Sequence, residues 1–126
     1  METKILHLSD LKFNLETWRR ELKFHANEMD IFEQRLEDIA SREFNNKALV
    51  PLENFQNRIL LEKDAISKLK HRCKSKIKKI KSEDSDENID ITQQFNKSTL
   101  REDMRTFLKM HYELKEEMMD YFLEWL

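Results

Sequence analysis

The sequence predicts an all-α protein, an antiparallel three-helix bundle of long helices in up-down-up order. Three observations carry this. The 126 residues include no glycine and one proline, so the tight turns and close backbone approaches that glycine supplies are scarce. Apolar residues recur every three or four positions over long stretches, which holds one stripe of each helix toward its neighbours. Charged residues make up 38% of the chain and fill the positions between those stripes, as on the wet faces of amphipathic helices.

The first helix is expected over 10–44. Leu11, Leu15, Trp18, Leu22, His25, Met29, Phe32, Leu36 and Ile39 follow a strict 4-3 alternation. Ser9 is positioned as its N-cap, with Leu8 packing on Phe13 as a hydrophobic staple. Asn45 or Asn46 stands where a left-handed exit cap is needed, and Pro51 suits the first position of a second helix over 51–81. That helix carries Leu52, Phe55, Ile59, Ile66, Leu69, Cys73 and Ile80, with Glu62 interrupting the stripe near the level of Arg35. A short connection forces helices one and two into an antiparallel hairpin.

Residues 82–98 break the pattern. The stretch SEDSDENID holds five acids in nine residues, and the segment reads as an acidic linker. Thr99 and Glu102 then have the spacing of a capping box, opening a third helix over 99–126. Its stripe is Leu100, Met104, Phe107, His111, Leu114, Met118, Tyr121 and Trp125. The whole chain reads as one domain.

Composition excludes several function classes. Without glycine, phosphate-cradling loops and nucleotide fingerprints lose their usual construction. No apolar run approaches the roughly 18 residues of a membrane span, and the amino-terminal METKILHLSDLKF lacks a secretory apolar core. The single Cys73 cannot form an internal disulfide and sits on an apolar stripe, consistent with a reduced, cytoplasmic protein. His25 and His111 both fall on interior stripes, and parallel first and third helices would bring them to one depth. The Glu-x-x-His spacing of bundle dimetal centres is absent, however. The expectation is therefore no metal, no cofactor, no small-molecule substrate and no enzymatic activity.

Two surfaces stand out. From Lys68 to Lys81 there are eight lysines or arginines in fourteen residues and no acid. Arg72, Lys74, Lys76, Lys78, Lys79 and Lys81 form the candidate contact for an anionic partner, nucleic acid or ribosome. The acidic linker that follows, together with the helix dipole, also accounts for this run. The last helix has an apolar excess: Leu108, Tyr112, Met119, Phe122 and Leu126 lie beside its stripe, and Trp125 closes it. Such a face suits a protein partner, with a second copy of the chain as the first expectation. The leading reading is a non-enzymatic interaction bundle that self-associates through this face. The alternative is a nucleic-acid- or ribosome-associated accessory protein working through the lysine-rich helix end.

Overall fold

The computed structural model describes residues 2–83 and 99–126, with the side chains of 9–81 and 99–126. It is an all-α bundle of three helices: α1 Glu2–Arg42, α2 Asn46–Glu83 and α3 Leu100–Trp125. Helix α2 takes in Ser82 and Glu83, the first two residues of the expected acidic linker; the rest of that stretch and the apolar Ile89, Ile91 and Phe95 lie outside the described residues, as does the Leu8 side chain of the proposed staple.

The contacts define the helix directions. Arg58, early in α2, meets Glu117, late in α3, whereas Arg72, further along α2, meets Asp103 at the start of α3. These two helices therefore run in opposite senses. Helices α1 and α3 make their contacts in the same order: Glu28 reaches His111 and Lys115, and Arg42 donates to the Trp125 carbonyl at 3.0 Å. Three residues, 43–45, join α1 to α2, too few for anything but a hairpin.

The core follows most of the stripes that the sequence marks, but Trp18, Phe32 and Trp125 are half-buried, and Ile77 and Phe122, beside the stripes, are buried. Leu15, Leu22, Met29, Leu36 and Ile39 of α1, Ile59 and Ile66 of α2, and Leu100, Met104, Leu114 and Met118 of α3 are fully buried. Among the described residues no helix is long and apolar enough to cross a membrane.

Helix ends differ from the expected ones in three places. Helix α1 runs through Ser9 back to Glu2, because no breaker interrupts METKILHLSD. Asn45 starts α2 rather than closing α1: its carbonyl accepts from Ala48 and Leu49, and its side-chain Oδ1 accepts from the Lys47 amide at 2.9 Å. This cap opens α2 at Asn46, so Pro51 lies inside the helix instead of at its first position. Thr99 precedes α3 as expected, but in helical conformation and with no side-chain cap bond. Its Oγ1 accepts instead from Arg72 at 3.2 Å, tying the start of α3 to α2.

Candidate functional site

Each helix stripe contains one polar interruption: His25 on α1, Glu62 on α2 and His111 on α3. All three are buried, and the up-down-up arrangement brings them to one level. The two imidazole rings stand 4.0 Å apart, centroid to centroid. Phe107 stacks on His111, and Tyr112 meets both rings edge-on.

Glu28, one turn beyond His25, aims its carboxylate between the rings. Its Oε1 lies 2.7 Å from His25 Nδ1 and 3.3 Å from His111 Nε2, while Oε2 accepts from the Lys115 ammonium at 2.5 Å. Burial alone raises the pKa of this carboxyl. The hydrogen bonds from Lys115, His25 and His111 outweigh that, and the net effect holds it below its usual value.

The outer face of each ring also meets a carboxylate. His111 Nδ1 is 3.3 Å from Glu62 Oε1, and His25 Nε2 is 3.5 Å from Glu21 Oε1. Neither approach is aligned as a hydrogen bond, and His25 Nε2, His111 Nδ1 and Glu62 Oε1 are buried without a hydrogen-bond partner. All four ring nitrogens therefore face carboxylate oxygen. Two neutral imidazoles carry only two N–H donors between them, so two of the four approaches lack a proton. Chemically, the layer has room for two positive charges at its centre.

Sequence reasoning placed both histidines on interior stripes and at one depth for parallel α1 and α3, and the structure brings them together. It locates the break at Glu62, near the level of Arg35, with a pair to Arg35 and an outward swing both open; neither occurs, since Arg35 pairs with Asp38 on its own helix and Glu62 is buried. The packing of α2 against α3 turns Glu62 to His111. Glu28 and Lys115 were missed, because both sit off the stripes, and their meeting depends on the relative height of α1 and α3.

The surface candidates divide. Phe122 is buried, edge-on to Phe32 at 5.5 Å between ring centroids, so it belongs to the core and not to the outer face. Leu108 and Trp125 are half-buried against the same core. Tyr112, Met119 and Leu126 are exposed. Leu123, which the sequence reading omitted, is 83% exposed and joins them.

Of the basic candidates, Arg72 is engaged by Asp103 and Thr99. Lys76 is half-buried, and desolvation, followed by the charges of Lys79 and Arg72, lowers its pKa. Lys74, Lys78, Lys79 and Lys81 are exposed on α2. No protein-family model matches the chain, and no curated protein or solved structure is significantly similar to it.

Proposed function

We propose that this chain is a non-enzymatic interaction bundle that associates with a second copy of itself through the face shared by α1 and α3. One observation carries the reading: seven of the twelve large exposed apolar side chains among the described residues fall, by helical spacing, along that seam. Glu28 marks the edge of α1 nearest α3, and at helical spacing Phe13, Phe24 and Ile31 fall on the same edge. Lys115 marks the facing edge of α3, where Tyr112, Met119, Leu123 and Leu126 fall. All seven are about half exposed or more. Two parallel apolar ridges with a shallow seam between them are the surface on which helices pack. Contiguous apolar area of this kind on a small soluble domain marks an interface.

Self-pairing suits the composition of the strip. It is aromatic, Met- and Leu-rich and self-complementary, as a two-fold contact requires, in which the same patch meets itself. The Lys115 ammonium sits 5.3 Å above the Tyr112 ring, so a cation–π contact joins the strip to the Glu28–Lys115 pair between the two helices.

Sedimentation equilibrium from about 1 to 100 µM tests this, the range in which contacts of moderate affinity form. The expected result is a mass twice the 15.5 kDa of one chain, reverting to a single chain in Met119→Glu with Leu123→Glu. Both side chains are exposed, so helicity stays unchanged in the variant. A wild-type mass of one chain throughout the range overturns the reading. Phe122→Glu is not a usable probe, because it places a charge in the core.

A further inference from the structure

We infer that His25, Glu28 and His111 form a binding site for one divalent transition-metal ion, of the zinc class, clamping α1 to α3. Each of the three residues offers one ligand atom within 4.8 Å of the other two, and the atoms already in contact are His25 Nδ1, Glu28 Oε1 and His111 Nε2. Two of the three edges are 2.7 and 3.3 Å. A tetrahedral zinc with nitrogen and oxygen ligands near 2.1 Å has ligand–ligand edges of about 3.4 Å, so the His111–Glu28 edge already fits and the short His25–Glu28 edge opens through a small rotamer adjustment.

The surroundings match what a metal-bound imidazole needs. A ligating histidine donates its other N–H to a carboxylate or carbonyl, which fixes its tautomer and orientation. With the inner nitrogens on the metal, His111 Nδ1–H faces Glu62 and His25 Nε2–H faces Glu21, the two approaches otherwise short of a hydrogen bond. A single dication thus takes the place of two inner N–H donors between rings whose centroids lie 4.0 Å apart. Lys115 opposes a dication by its charge. It also holds Glu28 Oε2, leaving Oε1 alone to face the histidines. The carboxylates of Glu21, Glu28 and Glu62 together outnumber that one ammonium. The two-His, one-carboxylate donor set suits zinc, iron(II) or cobalt(II) rather than calcium or magnesium, which prefer all-oxygen sites.

The test uses the full chain, stripped with a chelator and confirmed helical by circular dichroism, and titrated with Zn²⁺. Calorimetry gives stoichiometry, and the imidazole ¹⁵N resonances of His25 and His111 locate the ion. The expected result is one ion per chain and a higher Tm. The resonance changes should be confined to the rings of His25 and His111, with His25 Nδ1 and His111 Nε2 as the coordinated nitrogens, and affinity should fall as pH drops and protons compete for them. Glu62→Gln keeps the ligands and weakens binding about 10- to 100-fold, the usual effect of losing a carboxylate partner of a ligating histidine. His111→Gln abolishes saturable binding. Absence of one-to-one binding to the folded wild type, or binding that leaves both sets of imidazole resonances unmoved, overturns the site. The latter outcome places the ion elsewhere on the chain. The readouts do not involve association, so this inference and the self-pairing reading fail separately.

Discussion

Two single side chains show how burial governs the chemistry of this bundle. Cys73 is fully buried, and desolvation, only partly countered by the charges of Arg72 and Arg19, pushes its thiol up to about 11. The thiolate is the reactive form. Alkylation at neutral pH is therefore expected to track global unfolding, and labelling by iodoacetamide with and without denaturant checks it; rapid labelling of the native chain contradicts the burial. Tyr121 is also buried, and its hydroxyl donates to the Ala48 carbonyl at 2.7 Å. Burial first, then the charges of Glu43 and Glu124, raises its pKa. A raised folded-state value means that the neutral phenol belongs to the fold. Its contribution is intact below the ordinary tyrosine range near pH 10 and is lost as pH rises through the folded value. Tyr121→Phe is expected to cost about 1 kcal/mol at pH 7 through the lost hydrogen bond. It should also flatten the decline of Tm above pH 10. Alkaline melts of the two proteins, side by side, decide the matter.

Among the elements, the connection between α1 and α2 is the part that the sequence described least well. Heptad spacing located the stripes correctly, since side-chain burial follows directly from apolar period. Caps are different, because asparagine serves either end of a helix. Asn45 was read as an exit residue and is an entry residue, a choice settled by the geometry of a three-residue link. Thr99 shows the same limit: its spacing to Glu102 announced a capping box, but Arg72 on another helix takes the hydroxyl. Asn45→Ala is expected to destabilise the fold by about 1 kcal/mol, as loss of an N-cap does. For a chain of this length that is about 4 °C in Tm. No change in Tm would mean that the Lys47 amide finds an equivalent partner in water.

At the scale of the whole molecule, the architecture was legible and the polar layer only partly so. His25, Glu62 and His111 each announce themselves as a polar residue in an apolar stripe. That they meet depends on the heights of three helices, which stripes alone do not set. The same layer supplies that missing information. Around it, α3 repeats at seven-residue intervals, with Met104 and Leu108, then His111 and Lys115, then Met118 and Phe122. Grease against grease tolerates a slide by one such interval. A slide here puts a thioether beside His25 and a hydrocarbon beside Glu28, so this half-sequestered anion loses Lys115 and His111 and keeps only His25 on its own helix, a penalty of several kcal/mol. The histidine–glutamate layer thus acts as the index notch of the assembly, leaving the third rod one seating among several that its oily surface alone would accept.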